Sequence, residues 1–124
     1  MSTAESTVRP VLIAGEWRQA KYEQTFKATD PNKNTLLPTE FPVSLWEDCD
    51  AALEAASDAA SKLRQLPADK IADFLECYAD RIEAAKDALV EAAFSETGLA
   101  RSPRLADVEL PRTSNQLRAA AQAC

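Results

Sequence analysis

Histidine is absent from all 124 residues. Its absence excludes a Ser-His-Asp or Cys-His nucleophile system and any zinc site that uses imidazole. Glycine is nearly absent too, with only Gly15 and Gly98, far apart. A phosphate-cradling loop or dinucleotide fingerprint needs several glycines close together, so that backbone N–H groups reach the pyrophosphate. Neither activity is housed by this chain alone. Positive charge is short: 14 Lys and Arg against 20 Asp and Glu leave a formal charge of -6. That balance argues against a nucleic-acid partner, because a phosphate backbone needs basic residues gathered on one surface. Arg101, Arg104, Arg112 and Arg118 make the C-terminal quarter locally basic, and they read as a solvated helix face. No apolar run is long enough to span a membrane, and Met1 to Pro10 lacks the apolar centre of a secretion signal. Cys49, Cys77 and Cys124 are odd in number and widely spaced, which suits neither a disulfide framework nor a metal site. The expected setting is cytoplasmic and reducing. Aromatics are 6% of the chain, and much of its 46% hydrophobic content is alanine. Alanine-rich helices approach closely, yet each buries little area.

What is present is helical periodicity behind a short β region. Residues 1–10 read as a flexible tail. Val11, Leu12 and Ile13 form a strand candidate, Gly15 allows a tight turn, and Trp17 begins the return strand. Phe26 to Thr29 pairs nearby before Asp30-Pro31-Asn32 turns the chain. Thr35 to Phe41 is extended, with Pro38 and Pro42 confining it to an edge. The β region thus covers 11–42.

From Ser44 the period changes. Ser44 and Glu47 fit a capping box opening a helix over 44–63. Leu45, Cys49, Leu53, Ala56, Ala60 and Leu63 line its expected packing face. A second helix is expected over 67–97. Pro67 starts it, because its missing N–H would be unpaired in a first turn, and Asp69 suits the positive end of the dipole. Ile71, Leu75, Tyr78, Ile82, Ala85, Leu89 and Ala93 recur at spacings of three and four, widened by Phe74, Val90 and Phe94. The run admits a break between Ala85 and Asp87, and Gly98 supplies a left-handed stop. A third helix is expected over 103–124, with Pro111 kinking or splitting it.

Candidate chemistry is sparse. Glu76 with Asp80, and Glu83 with Asp87, stand four apart and would raise one another's pKa if buried. As an exposed acidic face opposite the apolar stripe they need no further role. Cys77 beside Tyr78 reads as a packed or half-buried thiol. Cys49 falls on its helix's packing face, and the surroundings of Cys124 are not read. Trp17 and Trp46 read as core or interface anchors. No residue is assigned a catalytic, cofactor-binding or metal-binding role.

Five motifs, in order, carry a resemblance. Leu12-Ile13-Ala14-Gly15-Glu16-Trp17 resembles the opening hairpin of the NAD(P)-dependent aldehyde dehydrogenases. Asp30-Pro31-Asn32 resembles that family's turn, and Leu66-Pro67-Ala68-Asp69 its helix start. Glu96-Thr97-Gly98 resembles the family's helix end. Arg112-Thr113-Ser114-Asn115-Gln116-Leu117-Arg118 is similar to the ketoglutarate semialdehyde (2,5-dioxovalerate) branch, which has glycine where Pro111 stands. The resemblance covers about Leu12 to the end. It implies a mainly α fragment with a short N-terminal β region, cut from the family's α/β fold, in which residues 11–124 begin the cofactor-binding domain. It also implies a parent that oxidises an aldehyde to an acid with NAD(P)+ and forms a homo-oligomer, this chain's partner being the remainder of the enzyme. The family's catalytic cysteine, glutamate and asparagine, and its cofactor glycines, lie further along the family's chain than residue 124. None of Cys49, Cys77 or Cys124 matches the catalytic motif. Leu117 to Cys124 is apolar and uncapped, so a fragment or truncated reading frame is expected. The contrasting reading is a free-standing helical interaction module presenting the same stripe to a partner helix.

Overall fold

The structure, a computed structural model, describes residues 8–124. Six short strands come first: β1 (Val11–Ile13), β2 (Glu16–Arg18), β3 (Tyr22–Phe26), β4 (Thr29–Asp30), β5 (Thr35–Leu36) and β6 (Phe41–Ser44). Helices α1 (Trp46–Leu63), α2 (Ala68–Ala84) and α3 (Lys86–Thr97) follow. A widely wound segment, Arg101–Glu109, leads into α4 (Leu110–Gln122). The fold is mainly α, as expected. The contacts divide it into two units: the described residues up to Thr29 with Thr35–Gln65, and Asp30–Asn34 with Leu66–Cys124.

In the first unit β1 and β2 form an antiparallel hairpin, pairing Val11 with Arg18 and Ile13 with Glu16. Its two turn residues, Ala14 (φ 54°) and Gly15 (φ 82°), are both left-handed. Two left-handed residues twist a tight turn in the sense that the flanking strands need. β3 pairs antiparallel with β6, setting Tyr22 opposite Ser44 and Phe26 opposite Phe41. The two rings stack with centroids 5.5 Å apart. Pro42 sits in β6 of this two-stranded sheet, where an outer edge spares it the missing donor.

The tail expected over residues 1–10 is held at its end. Val8 is buried and bridges Glu40, and the Arg9 N–H donates to the Glu40 carbonyl. Residues 1–7 lie outside the described residues. The Ser44–Glu47 capping box does not form. Strand pairing with Tyr22 holds Ser44, the helix starts after Leu45 without a side-chain cap, and Glu47 turns to Lys21. The packing face of α1 keeps Cys49 and Ala60 of the expected set but not Leu45, Leu53, Ala56 and Leu63. Asp48, Cys49, Ala51 and Ala55 face inward, whereas Leu53 and Leu63 are exposed. One buried carboxylate outweighs the leucines in orienting this helix, because a charge out of water must meet its partners.

In the second unit the helix expected over 67–97 is two helices. Ala85 (φ -94°, ψ 12°) leaves helical geometry, and α3 restarts at Lys86. The stripe therefore lies on two axes. Ile71, Leu75 and Ile82 are half-buried, Ala79 is wholly buried, and Phe74, Tyr78 and Leu89 are exposed. Gly98 ends α3 in the expected left-handed conformation, with φ 70° and its N–H donating to the Phe94 carbonyl. The Asp30-Pro31-Asn32 turn packs over it. A β-carbon at Gly98 would come 3.1 Å from the Pro31 ring and from the Asn32 side chain.

The helix expected over 103–124 is also divided. Ser102 (φ -135°, ψ 139°) is extended, and the Leu110 N–H reaches back five residues to the Leu105 carbonyl. That wide turn precedes Pro111, which stands at the second position of α4 as the helix continues from Glu109 and Leu110. α2 packs chiefly on α4. Ala79, Ser114 and Ala121 are the buried residues of these two helices, small enough for close approach.

Candidate functional site

Three places among the described residues bear on the candidate chemistry. In the first unit Asp48 is 4% exposed. Its Oδ2 accepts the Lys21 backbone N–H at 2.7 Å, and its Oδ1 accepts from the Arg18 guanidinium at 3.1 Å. One carboxylate thus joins the segment leaving β2 to the first turn of α1. Beside it the Lys21 ammonium meets Glu47 at 2.8 Å, and that hydrogen bond raises the lysine above its ordinary value. These are anchoring contacts, and both carboxylate oxygens of Asp48 have a partner.

In the second unit Arg118 of α4 reaches across to α2. Its guanidinium donates to Asp80 at 2.9 Å, to Glu76 at 2.5 Å and to Glu83 at 2.8 Å. The hydrogen bonds it donates to Asp80 and Glu76 push the arginine further up from its already high value. Glu76, Asp80 and Glu83 are therefore not a bare acidic face, and Arg118 is not a bare basic one. Helical spacing placed the three acids on one side, but only the α2–α4 packing supplied the cation. Arg101 stays exposed, as expected, but is not unpaired. It lies 3.4 Å from the Phe94 ring centroid and grips both oxygens of Glu91, at 2.6 and 2.7 Å. Those bonds draw the Glu91 carboxyl below its usual range. Arg104 pairs with Glu109, and Arg112 is exposed.

The third place is an open apolar groove of about 380 Å³ in the second unit. Tyr78, Ile82, Leu89, Val90, Leu105 and Leu110 line most of it. Glu109 and Thr113 are the other polar side chains beside Tyr78 in its lining.

The remaining candidates are dispersed. Cys49 is half-buried on α1, while Cys77 is exposed, contrary to the packed thiol expected, because it falls on the outer side of α2; Cys124 is exposed too. All three are free thiols. Trp17 and Trp46 are 69% and 71% exposed, so neither is a core anchor of its unit. Among the described residues no group of His, Cys, Asp or Glu is arranged to hold a metal ion. Gly15 sits in a hairpin turn, and Gly98 lies against Pro31 and Asn32 with its N–H donating to the Phe94 carbonyl. No helix among the described residues is long and apolar enough to cross a membrane.

Residues 17–124 match the model of the aldehyde dehydrogenase family. The chain is 41% identical over 89 residues to alpha-ketoglutaric semialdehyde dehydrogenase 2 of Azospirillum brasilense, covering 71% of this chain and 17% of that protein. It is 27% identical over 99 residues to the D-glyceraldehyde dehydrogenase (NADP(+)) of Picrophilus torridus, covering 80% of this chain and 20% of that protein. Its fold superimposes on the crystal structure of an NAD-dependent benzaldehyde dehydrogenase from Corynebacterium glutamicum with a TM-score of 0.82. There the identity is 23%, over 99% of this chain and 26% of the other. An aldehyde dehydrogenase from Bacillus cereus gives the same TM-score of 0.82 at 24% identity, over 91% of this chain and 23% of the other. The chain thus spans about a fifth of the length of its curated relatives. From Trp17 to Cys124, the hairpin return, the turn over Gly98 and the α2–α4 pair fall within one family match, and the chain belongs to the aldehyde dehydrogenase family.

Proposed function

We propose that this chain is the N-terminal segment of an aldehyde dehydrogenase that oxidises ketoglutarate semialdehyde (2,5-dioxovalerate) to the acid with NAD(P)+. The identity to the Azospirillum protein across most of the chain carries the substrate reading. In this reading residues 11–124 begin the cofactor-binding domain, and their role is scaffolding. The open groove on Tyr78, Ile82 and Leu105 is where the remainder of the enzyme, the chain's partner, lies against it. In the same reading cofactor binding and the aldehyde chemistry belong to that remainder, in a parent that is a homo-oligomer. Three free thiols suit a reducing, cytoplasmic setting.

One experiment tests the reading. The coding DNA is read beyond Cys124, and both the longer product and the 124-residue chain are assayed with ketoglutarate semialdehyde and either NAD+ or NADP+. The longer product reduces the nicotinamide and the 124-residue chain does not. Turnover by the short chain overturns the scaffolding role. A continuation unrelated to the family overturns the whole reading and favours the free-standing interaction module, which the exposed groove would then serve.

A further inference from the structure

We draw no further inference here: the strongest candidate, the open apolar groove of the second unit lined by Tyr78, Ile82, Leu89, Val90, Leu105 and Leu110, carries nothing beyond the reading above because nothing in the structure shows what covers it.

Discussion

Each unit has a charged side chain that bridges elements distant in sequence, Asp48 in the first and Arg118 in the second, and these two differ in sign and in depth. Asp48 is an acid buried to 4% exposure, and it meets a backbone N–H and one guanidinium. Arg118 keeps 29% of its side chain exposed and meets three carboxylates. The buried acid has the fewer partners and is expected to have the greater consequence. A carboxylate out of water has no solvent to fall back on, so each contact it makes is compulsory. An arginine at the rim has water as an alternative partner, and its ion pairs are correspondingly dilute. Numbers of contacts are therefore a poor guide to which residue holds a unit together. Depth decides.

The sharpest way to break this contrast is Asp48→Ala. It leaves the Lys21 N–H without its acceptor and Arg18 without its partner, and should cost about 2–3 kcal/mol in urea unfolding. Asp48→Asn keeps an acceptor for the Lys21 N–H and should recover part of that loss. A loss below about 0.5 kcal/mol for the alanine variant, within the range of an ordinary surface change, would show that depth does not decide.

Gly98→Ala comes next. It forces a side chain into the left-handed region and against Pro31 and Asn32, at an expected cost of about 1–2 kcal/mol. An unchanged unfolding midpoint would show that the turn moves aside freely, removing one of the close contacts assigned to the second unit.

The smallest effects are those of pH, and they fall at different ends for the two units. In the second, burial pushes the Asp30 carboxyl up, but the N–H groups of Asn32 and Lys33 and the Lys33 ammonium bring it below its usual value. Glu91 is also depressed, by Arg101. A depressed folded pKa gives stability that is present above the unfolded value and is lost as pH falls through the folded one. The second unit should therefore weaken in acid, from about pH 4 downward. In the first unit Lys21 is raised, so its contribution is complete below the unfolded lysine value and is lost as pH rises through the folded one. Hydrogen exchange followed from pH 3 to pH 11 should show an acid-side loss on Asp30–Asn34 and α3 and an alkaline-side loss near Lys21. The reverse pattern would contradict both assignments.

Local signals were legible in the sequence, and contacts between distant residues were not. The β1–β2 hairpin, the start near Pro67 and the stop at Gly98 each depend on a few neighbouring residues whose backbone preferences agree. Four of the five family motifs lie on turns, helix starts or helix stops of this kind, and the fifth, Arg112 to Arg118, lies inside α4. Ser44 misled because a capping box is a local inference, and strand pairing with Tyr22, 22 positions away, overrode it. The packing face of α1 misled because its leucines are apolar, yet a polar Asp48 faces inward, and its partners Arg18 and Lys21 stand 30 and 27 positions earlier. Arg118 and its acids are 35 to 42 positions apart, so helix periodicity assembled the acids and could not supply their cation. The break at Ala85 was visible only as an option, because alanine itself favours continuing a helix.

The most direct test of the unequal fastenings is residue-resolved hydrogen exchange on the chain and on two variants, Asp48→Ala and Arg118→Met. Asp48→Ala is predicted to abolish protection of the Lys21 amide and to reduce it through α1. Arg118→Met is predicted to give a smaller loss, confined to α2 and α4. Equal losses from the two variants, or a Lys21 amide already unprotected in the parent chain, would contradict the account.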